Sequence, residues 1–168
     1  MSESPKGSIT VLIKRFKPHN EGTETLPHDG TKGFYEEWKT IEQDKDNIFT
    51  NAGHDFVALQ CYSTTPGGNG ANYIALTNDS AAPNVVDTTL ASEIVANGLQ
   101  RAQGAYAHTL GTNTETIIKT FTATATQASQ KAGLFTASSV GTLVNESTYG
   151  PVTLNNGDQL QITWTITS

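Results

Sequence analysis

The sequence predicts an all-β protein: an antiparallel β-sandwich or jelly-roll-like domain, with a short helix and an irregular N-terminal arm. Three observations carry this. Of 168 residues, 36% are hydrophobic and 15% charged, and uncharged polar side chains fill much of the rest, 26 of them threonine. Threonine is β-branched, so it fits a pleated, half-exposed surface better than a helix. Residues 159–167 alternate without a break: Leu160, Ile162, Trp164 and Ile166 against Gln161, Thr163, Thr165 and Thr167. Such a period of two places one face in a core and the other in water. Turn formers also recur at roughly ten-residue intervals after residue 70, the spacing of sandwich strands, and no βαβ rhythm interrupts them.

Taken in order, the first element is a strand over residues 8–16. Ile9, Val11 and Ile13 recur at period two, and Leu12 and Phe16 place apolar groups on the opposite face. Residues 17–46 follow with Pro18, Pro27, three glycines and many charges, and neither helical nor strand period survives. The exception is the cluster Phe34, Tyr35 and Trp38, which needs a surface to bury against, in this domain or in a neighbour. Residues 47–62 are the helix candidate. Thr50 or Asn51 is placed to cap it, Asp55 lies near the positive end of its dipole, and Phe56 and Leu59 form an apolar stripe.

Thr64 to Gly70 reads as a loop, residues 72–77 as a strand, and 78–88 as a loop. Residues 89–97 read as one or two helical turns stopped by Gly98. A weak strand is expected over 99–108 and a strong one over 115–126, with Ile117, Phe121, Ala123 and Ala125 on one face. Short strands follow at 131–137, 142–146 and 151–154, before the tight turn Asn155-Asn156-Gly157-Asp158. Charge is divided unevenly among these elements. Residues 1–60 hold 17 of the 26 charged side chains, whereas residues 61–168 hold 20 of the 26 threonines. The expected organisation is therefore an N-terminal strand plus charged, aromatic arm over 1–46 and a sandwich over 47–168.

Ten basic against 16 acidic side chains give a net charge of -6, the wrong sign for a general nucleic-acid binder. A single cysteine, Cys61, excludes an internal disulfide and a cysteine zinc cluster. No run approaches the ~20 apolar residues of a membrane span, and the first residues lack the pattern of a signal peptide. A chain made and kept reduced in the cytosol is the expectation.

No constellation points to catalysis, a metal or a cofactor. His19, His28, His54 and His108 form no metal-binding frame. Cys61 has no visible base partner and reads as a structural thiol. Gly67-Gly68-Asn69-Gly70 lacks the Lys-Ser/Thr of a phosphate cradle. Glu36-Glu37 and the Glu42, Asp44, Asp46 series could supply a hydrolase pair or a calcium loop, but the latter lacks its glycine and closing glutamate. Asn145-Glu146-Ser147 has the spacing of a glycosylation acceptor, without meaning in a chain that is not secreted.

Several strings, taken together in order and spacing, resemble a family of small structural proteins of tailed bacteriophages. They are Thr50-Asn51-Ala52-Gly53-His54-Asp55-Phe56, Tyr73-Ile74-Ala75-Leu76-Thr77-Asn78-Asp79, residues 87–94 with 97–102, Lys131-Ala132-Gly133-Leu134-Phe135, and residues 152–166. The resemblance covers roughly residues 48–168 and leaves 17–46 as an elaboration of this chain. It implies a non-enzymatic virion component assembled in the host cytoplasm. Length, acidity and the arm-plus-sandwich layout favour a capsid decoration, or cement, protein on the outer head surface. Its expected partners are the major capsid protein and further copies of itself, a trimer being favoured, with no nucleic acid or membrane. Ile9, Val11, Ile13, Phe16, Phe34, Tyr35 and Trp38 are the candidate partner-binding residues, Ile9, Val11 and Ile13 having a place in the chain's own sandwich as the alternative. Rival readings are a tail, neck or baseplate part, a carbohydrate-binding module using Trp38, Tyr35 or Tyr73, and a hydrolase using Glu36 or Glu37.

Overall fold

In the computed structural model, residues 6–18, 33–62 and 70–167 are described. Their strands are β1 (Lys6–Lys14), β2 (Phe16–Pro18), β3 (Gly33–Tyr35), β4 (Lys39–Asp46), β5 (Ile48–Phe49), β6 (Tyr73–Thr77), β7 (Ala102–Gln103), β8 (Ala105–His108), β9 (Thr114–Thr122), β10 (Gln127–Phe135), β11 (Leu143–Leu154) and β12 (Gln159–Thr167), with one helix, α1 (Asn51–Tyr62). Two five-stranded antiparallel sheets form the sandwich. The first runs β4-β1-β12-β9-β8, the second β5-β11-β10-β6-β7, and β2 and β3 make a separate ribbon. The all-β sandwich expected from the sequence is the fold observed.

The alternation of β12 explains why it lies at the centre of its sheet. Leu160, Ile162 and Trp164 are fully buried, and Trp164 stands opposite Ile9 of β1 on one side and Ile117 of β9 on the other. Ile9, Val11 and Ile13 join them. From the second sheet come Ile74, Leu76, Leu134, Val152 and Leu154, and the two sets close one continuous core. Burying apolar area of this kind is the main favourable term in folding, at about 25 cal/mol per Å².

β1 therefore belongs inside the sandwich, and β4 pairs with its outer side. This moves the organisation expected at residue 46. Residues 6–14 and 39–46 are sheet strands, and of the described residues expected in the arm only 15–18 and 33–38 stand outside the two sheets. β4 carries no apolar alternation because it is an edge. Two register shifts interrupt its pairing with β1, and Asp44 adopts φ 49°. Charges and bulges on such an edge discourage pairing with other chains.

Helix α1 begins after Thr50, whose Oγ1 accepts from the Gly53 amide at 3.0 Å and donates to the Leu143 carbonyl at 2.5 Å. The cap thus also docks the helix on β11. The turns expected at 89–97 are not helical, because Ser92 and Asn97 adopt φ 51° and 60°, left-handed values that break a helix. The chain between β6 and β7 instead crosses the outer face of the second sheet. Leu90 packs there with Ala75, Phe135 and Leu143. The Ile94 amide donates to the Leu76 carbonyl at 2.8 Å, and Arg101 stacks on Phe135 at 3.5 Å while its Nε donates to Glu93 at 2.9 Å.

Gly98 allows the close approach that ends this crossing. Its φ is +76°, and a Cβ there would lie 2.0 Å from the Thr122 carbonyl oxygen. Gly98→Ala is expected to cost about 2 kcal/mol through strain and backbone displacement. A urea denaturation curve checks this, and a shift below about 0.5 kcal/mol, the range of ordinary surface changes, contradicts the placement.

Candidate docking surface

Arg15 is where the chain leaves the sandwich. Its guanidinium donates to Asp158 Oδ2 and to the Thr153 carbonyl, each at 2.6 Å, and the Phe16 amide donates to Asp158 Oδ1 at 2.8 Å. Asp158 is itself held by the Asn155-Asn156-Gly157-Asp158 turn, where the Asn155 amide donates to its Oδ2 at 2.9 Å. Burial alone would raise the Asp158 pKa, but the Asn155 and Phe16 amides and the Arg15 charge outweigh it and hold the carboxyl below its usual range. The Phe16 ring lies against Gly157, whose Cβ would come within 2.8 Å of it, and whose φ of +89° suits glycine.

From this clamp the β2–β3 ribbon projects, pairing Phe16 with Tyr35, Lys17 with Phe34 and Pro18 with Gly33. Phe16 and Tyr35 meet edge to face at 5.3 Å. Lys14 Nζ lies 5.6 Å from the Tyr35 ring centre and 5.4 Å from that of Trp38, within the reach of a cation–π attraction. Lys17 and Glu36 form an exposed ion pair at 3.3 Å. The outcome is a clamped ribbon with an exposed aromatic on each face: Phe34 is 52% and Tyr35 40% exposed, and Trp38 is half-buried.

The seven candidate contact residues therefore separate. Phe16, Tyr35 and Trp38 gather near Lys14, whereas Phe34, paired with Lys17, lies on the other face of the ribbon. Ile9, Val11 and Ile13 do not join them: they are 0%, 0% and 3% exposed and face the protein's own core, so their side chains cannot be presented to a partner. The strand periodicity of residues 9–13 is satisfied by the protein's own sheet.

The other residues weighed for chemistry are dispersed. Glu36 and Glu37 are exposed on the ribbon side. Asp44 accepts from Thr10 Oγ1 at 3.3 Å on the β4 edge. His54 packs against Phe49 with ring centres 4.9 Å apart, and His108 Nδ1 lies 3.1 Å from the Thr114 carbonyl. Among the described residues no three His, Cys, Asp or Glu side chains are grouped to hold a metal, and no helix is long and apolar enough to cross a membrane. His19, His28, the residue 64–69 loop and the side chain of Cys61 lie outside the described residues. Asn145, in the glycosylation-like triplet, is fully buried.

Two features escaped the sequence. One is a cavity of about 520 Å³ between α1 and the two sheets, walled by Phe49, Phe56, Val57, Val144, Ile117 and Ile166. The other is a set of charges on the outer face of the second sheet, beneath the 78–101 crossing. Lys131 and Glu146 are 2% and 1% exposed. Lys131 Nζ lies 2.9 Å from Asp79 Oδ2 and 4.0 Å from Glu146 Oε2. The Asn84 amide donates to Glu146 Oε1 at 2.9 Å and to Asp87 Oδ2 at 3.1 Å. Burial, then the hydrogen bond and charge of Asp87, push the Glu146 pKa up to about 7 against the opposing pull of the Asn84 amide and Lys131.

Because the Glu146 pKa is higher in the folded chain than its ordinary 4.5, folding takes up a proton between the two values. The stabilisation is complete below pH 4.5 and is lost as pH rises through about 7. Stability is expected to fall across that window, and Glu146→Gln is expected to flatten the fall. Urea midpoints measured at half-unit pH steps test it, and equal slopes in both proteins contradict it.

No protein-family model, curated protein or solved structure matches this chain.

Proposed function

We propose that this protein is a structural component of a tailed-bacteriophage particle, acting as a decoration protein on the outer surface of the head. The observation that carries the reading is the clamped ribbon: Phe34 and Tyr35 stand 52% and 40% exposed on a base fixed by Arg15 and Asp158. Rigid, exposed aromatics are suited to seat in a partner's pocket, at ~1–3 kcal/mol each, and little entropy remains to be lost when their base is already ordered. The resemblance of residues 48–168 to phage structural proteins supplies the setting. The partner is the major capsid protein, and a homotrimer multiplies the ribbon contacts, so that modest contacts sum to avidity. The protein then joins neighbouring capsomers and opposes outward pressure from packaged DNA.

Heads stripped of the protein and incubated with purified chain test the proposal. Wild type is expected to bind in a saturable manner, with hundreds of copies per head, and to raise the temperature at which heads release DNA. Phe34→Ser with Tyr35→Ser is expected to weaken binding at least tenfold, with a thermal unfolding midpoint within a degree or two of wild type, as for exposed sites. Unchanged binding by the double variant removes the ribbon from the interface. A count of six or twelve per particle places the protein on the tail axis instead.

A further inference from the structure

Lys131 is the one lysine buried among the described residues, and it is placed by sheet register, not by chance contact. On β10 it pairs with Thr77 of β6 and Thr148 of β11. Asp79 leaves β6 two residues after Thr77, and Glu146 lies two residues before Thr148. The neighbouring strands therefore bring an amine and two carboxyl groups together from positions distant in the chain.

The geometry points to a covalent fate for this group: we infer that the Lys131 amine condenses with the Asp79 carboxyl to form an intramolecular isopeptide bond, with Glu146 as the proton carrier. This inference does not depend on the phage reading. Nζ lies 2.9 Å from Asp79 Oδ2, so the amine and the carboxyl it would attack are already in hydrogen-bond contact. The other oxygen, Oδ1, accepts from the Ala81 amide at 3.3 Å. That donor is positioned for the negative charge that gathers on Oδ1 as the carbon becomes tetrahedral. Glu146 Oε2, on its own strand, lies 4.0 Å from Nζ.

The ionised pair is the resting arrangement. The Lys131 hydrogen bond, followed by the Ala81 amide, holds the Asp79 carboxyl below its usual range. Reaction begins when the ammonium passes a proton to Oδ2, giving a neutral amine and a neutral acid. The Lys131 side chain is 3% and the Asp79 side chain 26% exposed, so the amine is enclosed while the carboxyl reaches the surface. The Nζ lone pair attacks Cγ, the C–N bond forms, and Oδ1 takes the negative charge. Glu146, which burial keeps protonated up to about pH 7, gives its proton to the departing Oδ2 hydroxyl. The C–Oδ2 bond breaks, one water leaves, and Glu146 recovers a proton from Nζ. An ammonium and a carboxylate become an amide and water, with no oxidant, cofactor or activated reagent. The bond ties the exit of β6 to the middle of β10, under the 78–101 crossing.

Intact mass spectrometry of the purified, unfolded chain tests this directly. Wild type is expected to be lighter than its sequence by one water. Trypsin is expected to yield a branched species joining residues 46–101 to residues 120–168, with cleavage after Lys131 blocked. Lys131→Arg keeps the positive charge but cannot condense under these conditions, and is expected at full mass with normal cleavage elsewhere. Glu146→Gln imitates the protonated side chain without a transferable proton, and is expected to remain uncondensed although folded. A full-mass wild type with free cleavage after Lys131 overturns the bond. Complete condensation in Glu146→Gln overturns the part given to Glu146.

Discussion

Trp164→Ala is expected to lower the unfolding free energy by about 4 kcal/mol, within the range for removing a buried aromatic from a core. Trp164 is wholly buried on the central strand of its sheet, between Ile9 and Ile117. The indole fills space that both sheets share, so neither can close the void without moving the other. Its Nε1–H is buried and has no hydrogen-bond acceptor among the described residues. Trp164→Phe is therefore expected to cost well under half as much, because the smaller ring gives up volume but also removes an unsatisfied donor. Urea unfolding of the three proteins, followed by far-ultraviolet circular dichroism, makes the comparison. A loss below about 1.5 kcal/mol for the alanine variant would falsify the central position given to this side chain.

Asp158→Ala is expected to cost about 3 kcal/mol, because it leaves the Arg15 charge and the Phe16 and Asn155 amides without their shared acceptor. The loss has a local consequence as well. The ribbon is held to the sandwich at this carboxylate, so amide exchange at Phe16, Tyr35 and Glu36 is expected to rise more than exchange in β12. Asp158 has a lowered pKa in the folded chain. Its stabilisation is present above the ordinary 3.8 of an aspartate and disappears as pH falls through the lower folded value. The difference between wild type and Asp158→Ala should therefore shrink towards strongly acidic pH. If the ribbon amides stay protected in the variant, the clamp lies elsewhere.

Much of the sandwich was legible because its central strands have one wet and one dry face. β12 and β9 show that directly in their alternation, and Thr50 at the helix cap was visible because capping depends on one local side chain. β4 was hidden for the opposite reason. An edge strand needs no apolar face, and its charges resembled those of a loop. β11 reads in the sequence as two short strands, because Gly150-Pro151 looks like a break. Pro151 is exposed, and the register shift between Ser129 and Lys131 accommodates the irregularity within one strand. Of the candidate docking surface, the aromatic residues were plain, but the fate of Ile9, Val11 and Ile13 depended on which strand they paired with. A period of two reports a buried face, not whose core buries it. The Lys131 group was illegible altogether. Asp79, Asp87 and Glu146 meet that lysine only through pairing of β6, β10 and β11 and the crossing above them.

The pairing of β1 with β12 has a consequence for how the molecule is made. Lys6 stands opposite Thr167, and nine successive residue pairs join the two strands. During synthesis, β1 leaves the ribosome well before β12, so until residues 159–167 emerge only β4 can pair with it. The β10–β11 hairpin closes between nearby residues and can form while the chain is still emerging. The β1–β12 pairing is thus expected to form after the β10–β11 hairpin, as the slow, entropy-limited step. A ribosome-stalled chain ending at residue 155 should leave the β12 side of β1 unpaired, available to chaperones and to protease.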